Sequence, residues 1–212
     1  MFNCEKYVEI SDFLEKSRKN TKIIAVSKNQ PIEDIDKAID CGVKIFGENR
    51  VQEAQKKFEN ILKQKNSIEL HLTGPLQTNK VKQALNIFDT FHTLDRLKLL
   101  KELAKYPDLL KTKTFFIQVN TGKEESKSGV YPEDINQFYE MCIYHGIKNI
   151  RGFMCIPPIN DSPRKHFEIL KNISNRFISK ELSIGMSSDY LEALDYNPSY
   201  IRLGTLFFGK RL

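Results

Sequence analysis

The sequence predicts a (β/α)8 TIM barrel of parallel strands, and two observations lead to that fold class. Eight short β-rich runs alternate with segments of helical apolar spacing, which is typical of a parallel sheet with helical crossovers. The last two runs each pass into a loop of Gly, Ser and Thr, and barrel loops after the seventh and eighth strands commonly bind phosphate. An open doubly wound sheet would instead carry GxGxxG or a Walker-type loop after its first strand, and neither motif occurs.

The predicted elements follow from the hydrophobic periodicity, taken in chain order. The eight predicted strands are Ile23–Ser27, Val43–Phe46, Ile68–Leu72, Asp89–Thr93, Thr114–Asn120, Asn149–Phe153, Glu181–Ile184 and Tyr200–Leu203. The main predicted helices are Met1–Lys19, Pro31–Asp40, Glu48–Lys63, Asp95–Lys105, Pro132–Tyr144 and Ser162–Ser179. No linker rich in Pro, Gly or Ser separates these elements, so we expect one domain over residues 1–212, which is short for a barrel of this type.

Composition and spacing argue against several classes of function. The net charge of +6 comes from basic residues spread along the chain without an aromatic-interleaved basic block, so we expect no nucleic-acid partner. No apolar run approaches the roughly 20 residues that span a bilayer. The N-terminal segment lacks the apolar core of a secretion signal, so we expect a cytoplasmic protein without membrane contact. The four Cys and four His residues show no metal-binding spacing, so we expect no metal, and Cys142 and Cys155 are expected to be buried.

A lysine, Lys28, comes directly after the first predicted strand, in Ile23-Ile-Ala-Val-Ser-Lys28. Active sites of barrels are built at the carboxyl ends of the strands, so this amine is expected at the rim. Neighbouring cations disfavour its protonated form there, and a neutral amine can attack an aldehyde. The alternative is an ordinary solvated loop lysine.

Polar residues also follow other predicted strands. Asn49 comes after the second strand and is expected near Lys28, although it would equally suit the first turn of a helix. His71, on the third strand, is either a hydrogen-bonding partner at the rim or a half-buried histidine whose hydrogen bonds are satisfied by its neighbours. Lys127, in a long polar loop after the fifth strand, is either a second amine facing the pocket or a solvated residue.

Two C-terminal segments, Ser183–Tyr190 and Tyr200–Gly209, form a predicted phosphate cradle. Their small residues allow backbone N–H groups to approach an anion, and a helix start after such a loop adds favourable dipole charge. Arg202 lies on the eighth strand two residues before Gly204, so strand alternation places both on one face. An arginine in the lumen needs an acceptor, which is either a buried acidic neighbour or a ring nitrogen or phosphate of a cofactor.

Six motifs, in this order, closely resemble those of the YggS/PROSC family of pyridoxal 5′-phosphate (PLP) homeostasis proteins, over nearly the whole chain. The sequence departs from the family where Arg50 replaces a common Tyr and Gln30 replaces a common Lys. The resemblance implies a single barrel similar to the N-terminal domain of alanine racemase, without that enzyme's second, β-rich domain. The motifs are Ala25-Val-Ser-Lys28, Phe46-Gly-Glu-Asn49, His71-Leu-Thr-Gly-Pro-Leu-Gln-Thr-Asn-Lys80, Glu125-Ser-Lys-Ser-Gly129, Gly185-Met-Ser187 and Arg202-Leu-Gly-Thr205 with Phe208-Gly209.

The resemblance also implies PLP as the cofactor and a role for individual residues. Lys28 is expected to hold PLP as a Schiff base. Asn49 is expected to border the ring, and Arg202 to face the pyridine nitrogen. The residues expected at the phosphate end, three as ligands and the methionine as a packing neighbour, are Met186, Ser187, Gly204 and Thr205.

We expect PLP homeostasis without catalytic residues, because a cationic Arg202 at the ring nitrogen weakens the electron sink that PLP enzymes use. One alternative is a PLP-dependent amino-acid racemase, with His71 or Lys127 as the second acid or base. Another is a class I aldolase-like barrel that forms a Schiff base with a phosphosugar. The expected partners are PLP and, through transient contacts, PLP-requiring apo-enzymes, and the expected oligomeric state is a monomer.

Overall fold

The computed structural model describes residues 1–64, 67–178 and 180–209, and its strands close into a parallel barrel in chain order. β8 pairs with β1 from Tyr200 against Lys22 to Leu203 against Ala25, which closes the barrel. The predicted fold class is therefore confirmed, and each predicted strand overlaps an observed one. The strands are β1 (Lys22–Val26), β2 (Ile45–Glu48), β3 (Glu69–Leu72), β4 (Thr90–Leu94), β5 (Thr114–Gln118), β6 (Ile150–Met154), β7 (Glu181–Ser183) and β8 (Tyr200–Leu203).

The helices run between the strands and cover the outside of the barrel. They are α1 (Cys4–Lys16), α2 (Ile32–Asp40), α3 (Val51–Gln64), α4 (Val81–Ile87), α5 (Leu97–Leu103), α6 (Pro107–Leu110), α7 (Ile135–Tyr144), α8 (Pro163–Ser174), α9 (Tyr190–Ala193) and α10 (Thr205–Phe208). Each predicted helix overlaps an observed one, and Ser179, the predicted end of the helix that contains α8, lies outside the described residues. The short helices α4, α6, α9 and α10 were not predicted, because one or two turns show too little of the helical period. Within the described part of the chain, no helix is both long and apolar enough to cross a membrane.

The middle of the barrel lumen is filled by packed rings. His71 Nδ1 lies 3.0 Å from His92 Nε2, and the His92 ring stacks on Phe116 with 4.7 Å between centroids. Burial lowers the pKa of both histidines, so neutral rings are favoured at physiological pH. His71 is fully buried, which excludes the rim alternative and supports the alternative of a histidine satisfied by its neighbours, with Nδ1 against His92 and Nε2 at 3.4 Å from the Glu69 carboxylate.

The N-terminal segment is fastened to the outside of the barrel. Phe2 is buried against a phenylalanine ring of α10 at 5.1 Å between centroids, and a disulfide joins Cys4 to Cys41 at the end of α2. No spacing in the sequence predicts this pair, because the two cysteines are 37 positions apart and meet only when α1 packs beside α2. Cys142 and Cys155 are buried as predicted, and burial raises the pKa of each thiol to about 12, which keeps both protonated.

Candidate functional site

A cavity of about 310 Å³ opens at the carboxyl ends of the strands, beside β1, β2, β8 and the loop after β7. All seven residues predicted to contact a cofactor are in its wall, although they come from both ends of the chain. Their contact with a ligand stays a prediction. The residues lining the cavity are Val26, Lys28, Gln30, Asn49, Thr73, Ile156, Met186, Ser187, Ser188, Arg202, Gly204, Thr205 and Gly209.

Lys28 reaches the cavity from the corner of a tight turn at the end of β1. The backbone N–H of Ser27 donates to the Gly47 carbonyl oxygen at 2.9 Å, which continues the pairing of β1 with β2. The chain then reverses, and the Gln30 N–H donates to the Ser27 carbonyl oxygen at 3.1 Å. Asn29 takes a φ of 60°, which asparagine tolerates better than most residues at the third position of such a turn. The turn therefore ends the strand and presents Lys28 at the rim.

Asn49 is held at the wall by Thr73, the residue that directly follows β3. The Thr73 hydroxyl donates to Asn49 Oδ1 at 3.0 Å, and both residues line the cavity. A Cβ at Gly74 would lie 2.7 Å from Asn49 Cα, so only glycine lets the chain after β3 pass this close. Thr73 was not predicted as a wall residue, although its position directly after β3, at the rim, was a usable signal.

The loop after β7 and the start of α10 meet at the predicted phosphate cradle. The Gly204 N–H donates to the Ser187 hydroxyl oxygen at 3.3 Å, so the two arms of the cradle are in contact. Asp189 accepts a hydrogen bond from the Met186 N–H at 2.6 Å and thereby fixes the loop, a role that sequence analysis did not assign. Burial raises the pKa of Asp189. The backbone N–H of Met186 is thus committed to the protein, while its side chain lines the cavity as predicted.

Arg202 lies under the cavity and is hydrogen-bonded by neutral oxygen atoms. Its Nη1 donates to the Ser183 carbonyl oxygen at 2.6 Å and to the Ser183 hydroxyl at 2.8 Å, and its Nη2 donates to the Cys155 carbonyl oxygen at 3.0 Å. The predicted alternative was a buried acidic partner for Arg202. Asp189 is the acidic side chain that interacts with the guanidinium, and it does so by longer-range electrostatic attraction and not by a hydrogen bond. Burial lowers the pKa of Arg202, but a guanidinium keeps its charge in proteins. The floor of the cavity is therefore positive.

A second cavity of about 580 Å³ adjoins the first and shares Asn49, Thr73, Ile156 and Met186 with it. Lys127 lines this second cavity and not the first. Its loop is ordered by hydrogen bonds, since the Lys127 N–H donates to the Glu124 carbonyl oxygen at 3.0 Å and Asn120 Nδ2 donates to that same oxygen at 2.9 Å. Lys28 and Lys127 therefore line two adjoining cavities at the same rim of the barrel.

Titratable side chains are few in the first cavity. Among the residues that line it, only Lys28 and Arg202 carry a titratable side chain. Within residues 1–64, 67–178 and 180–209, no group of three or more His, Cys, Asp or Glu side chains is placed to hold a metal ion. The wall otherwise consists of hydroxyl, amide, backbone and apolar groups, which suit an organic anion with both polar and aromatic parts.

Comparison with known sequences matches this chain to one family profile and to several proteins that share one name. A sequence profile described as the N-terminal domain of alanine racemase matches residues 9–211. The pyridoxal phosphate homeostasis protein of Aquifex aeolicus is 33% identical over 226 aligned positions, which cover 98% of each chain. The pyridoxal phosphate homeostasis protein of Pasteurella multocida is 35% identical, over 90% of this chain and 86% of its own.

Solved structures show the same relationship in three dimensions. PipY of Synechococcus elongatus, with PLP bound, superposes with a TM-score of 0.81 at 30% identity, covering 97% of this chain and 99% of PipY. Alanine racemase of Corynebacterium glutamicum superposes with a TM-score of 0.72 at 15% identity, covering 99% of this chain and 62% of the racemase. At that identity the likeness to the racemase concerns the fold, and it confirms the predicted similarity to one part of that enzyme.

Proposed function

The chain belongs to the family of pyridoxal phosphate homeostasis proteins, which share the barrel of the alanine racemase N-terminal domain, and on this premise we propose that it binds PLP in the first cavity. In this proposal Lys28 holds PLP as a Schiff base, and one domain over residues 1–212 carries the site. The protein takes part in PLP homeostasis and has no catalytic turnover of its own.

The observation that carries the proposal is the meeting of three kinds of group in one cavity. PLP has an aldehyde, a phosphate and a pyridine nitrogen. The cavity wall offers an amine at Lys28, and it offers the hydroxyl groups of Ser187 and Thr205 beside the backbone of Gly204. It also offers the guanidinium of Arg202. These three sets come from the turn after β1, from the two arms of the cradle and from β8, and they line one cavity that a ligand of this shape can contact on three sides.

The positive floor of the cavity supports binding of PLP over catalysis with it. When bound, PLP supplies an electron sink, which is strongest when the ring nitrogen is protonated. The charge of Arg202 disfavours a proton on a neighbouring nitrogen by like-charge repulsion. A racemase also needs a second acid or base facing Lys28, and the two candidates from the sequence lie elsewhere, since His71 is in the core and Lys127 lines the second cavity.

The proposal extends to the partners of the protein. We place the protein in the cytoplasm as a monomer that makes transient contacts with PLP-requiring apo-enzymes. The position of the cavity supports this part, because it lies at the rim of the barrel, and exposed residues such as Lys127 and Ile159 line the adjoining second cavity. Size-exclusion chromatography with light scattering tests whether the protein is a monomer. The contact is tested by comparing PLP transfer to an apo-enzyme mixed with the protein and to an apo-enzyme held behind a dialysis membrane.

Absorption spectroscopy and peptide mapping test the proposed function. Addition of PLP to the purified protein is expected to produce a yellow species that borohydride converts to a stable adduct on Lys28. The aldolase-like alternative predicts instead a colourless adduct with a phosphosugar. Free PLP that dialyses away from the protein without any absorbance change would exclude the proposal.

Ser187→Ala and Thr205→Ala are each expected to weaken PLP binding about 10- to 100-fold without unfolding the protein. Each change removes one hydrogen bond to a charged phosphate, which contributes about 1.5–3 kcal/mol, while backbone donors remain. Titration with PLP and with pyridoxal, which lacks the phosphate, measures the effect. Ser126→Ala, in an exposed loop outside both cavities, is the matched control. Equal losses for both ligands would show that the phosphate end lies elsewhere.

A further inference from the structure

The turn that carries Lys28 is held from behind by a side chain of α3. Lys57 Nζ donates to the Ser27 carbonyl oxygen at 2.8 Å and reaches the Gln30 carbonyl oxygen at 3.5 Å. These are the first and last residues of the turn, so one ammonium group connects its two ends. Lys57 is not in the wall of the first cavity, and its effect on a ligand must pass through the turn.

Two carboxylates complete the contacts to the same turn. Glu53 Oε1 accepts hydrogen bonds from the Asn29 N–H and, at 2.8 Å, from Lys57 Nζ. Glu48 Oε1 accepts one from the Ser27 hydroxyl at 2.7 Å and lies 2.6 Å from Lys57 Nζ. Each of the turn residues Ser27, Asn29 and Gln30 therefore contacts this cluster of Glu48, Glu53 and Lys57, and Lys28 stands between them.

Burial of the charged groups in this cluster costs free energy, so a contribution to folding stability does not by itself explain their presence. Glu48 is fully buried, and its Oε2 has no hydrogen-bond partner among the described residues. Burial raises the pKa of Glu48, against the opposing effects of Lys57 and Ser27. Replacing a buried ion pair by apolar side chains of similar volume is often neutral or stabilising. A charged cluster behind the lysine of the site thus favours a role in placing that lysine.

We propose that Lys57, together with Glu48 and Glu53, is a positioning residue that holds the turn so that the Lys28 amine faces the ligand at the geometry needed for bond formation. This inference rests on the proposed function for its chemistry. The Lys28 nitrogen bonds to the aldehyde carbon, and the aldehyde oxygen leaves as water with the two protons of the neutral amine. The reaction needs no oxidant or reductant, and its rate depends on the alignment of nitrogen and carbon.

Lys57→Met is expected to slow formation of the bond between Lys28 and PLP about 10- to 100-fold, as misplacement of a reacting group by a fraction of an ångström to an ångström does. Stopped-flow absorbance after mixing with excess PLP measures this rate. Pyridoxine 5′-phosphate, which carries an alcohol in place of the aldehyde, measures non-covalent binding, and its affinity is expected to change by no more than about twofold. Lys56→Met is the matched control, because Lys56 is exposed, adjacent on α3 and outside the cluster, and it should change neither quantity.

A second pair of variants changes Glu53 and keeps Lys57, so that the buried carboxylate of Glu48 retains its ammonium partner. Glu53→Ala removes the acceptor of the Asn29 N–H, and Glu53→Gln retains an acceptor oxygen there. The alanine variant is expected to form the bond about tenfold more slowly, and the glutamine variant to recover most of the wild-type rate. Amide hydrogen exchange at Asn29 and Gln30, which needs no ligand, should accelerate in Glu53→Ala and in Lys57→Met but not in Lys56→Met.

Two outcomes would overturn the inference. One is a bond-formation rate in Lys57→Met and Glu53→Ala within about twofold of the wild type, together with unchanged exchange at Asn29 and Gln30. The other is an equal loss of affinity for PLP and pyridoxine phosphate, which would indicate a general collapse of the cavity. A wild-type protein that forms no bond with PLP, yet shows faster exchange in both variants, would refute the proposed function and leave the support of the turn established.

Discussion

Lys28→Ala is expected to abolish the yellow, borohydride-reducible adduct with PLP. Among the residues lining the first cavity, Lys28 carries the only primary amine, and the guanidinium of Arg202 does not replace it. The phosphate end of the site is untouched, so the variant should still bind PLP reversibly. Absorbance spectra, and the mass of the protein after reduction, measure the covalent loss, while equilibrium dialysis measures the remaining affinity.

Lys127→Ala is the control for this experiment, because Lys127 is the amine of the adjoining cavity. It should leave the adduct on Lys28 in place. Undiminished PLP occupancy in Lys28→Ala, with the reduced adduct mapped to Lys127 or another lysine, would mean that the amine has been assigned wrongly. The cavities share four wall residues, so peptide mapping is needed to distinguish the two amines.

Arg202→Gln is expected to change both stability and reactivity. The guanidinium donates to the carbonyl oxygens of Ser183 and Cys155 in a buried place, and a glutamine amide replaces only part of these bonds. We expect a loss of about 2–4 kcal/mol in the free energy of unfolding, since buried acceptors are left without donors. The loss of positive charge under the cavity should also permit a protonated ring nitrogen, and slow transamination of L-alanine should then increase.

Chemical denaturation and product analysis measure these two effects separately. After overnight incubation with PLP and L-alanine, pyruvate and pyridoxamine phosphate are quantified for the wild type and the variant. Ser183→Ala is the matched control, because it removes one hydrogen bond of Arg202 and keeps the charge. A variant that holds PLP but forms no more pyruvate than the wild type would show that Arg202 does not govern the electronics of the ring.

Much of the site could be predicted from the sequence, because a residue's place relative to the end of a strand shows where it lies in the barrel. A residue that directly follows an apolar run, as Lys28 follows Ile23–Ser27, lies at the rim once the run is known to be a barrel strand. Arg202 and Gly204 were placed on one face by alternation alone, and both line the cavity. These inferences used only the period of the strand and the common direction of parallel strands.

Other features depended on contacts between distant segments. Glu48, Glu53 and Lys57 all fell in the predicted helix Glu48–Lys63, although Glu48 lies on β2, and nothing in their spacing indicated that they hold the turn after β1. For His71 the sequence left both a rim and a buried alternative open, because the depth of the side chain depends on how far along β3 it falls. The hydrogen-bond acceptors of Arg202 could not be identified from the sequence either, because two of them are backbone carbonyl oxygens, which every residue has.

The residue pattern alone was enough to predict the order of the strands, most of the helices, the closed parallel fold and the residues that gather at the carboxyl end of the barrel. These properties depend on local periodicity and on the rule that parallel strands share one direction. Contacts between groups on different elements, including the disulfide of Cys4 with Cys41 and the cluster behind Lys28, became visible only in the folded chain. Such contacts depend on packing distances of a few ångströms between segments far apart in the chain, and residue spacing does not encode those distances.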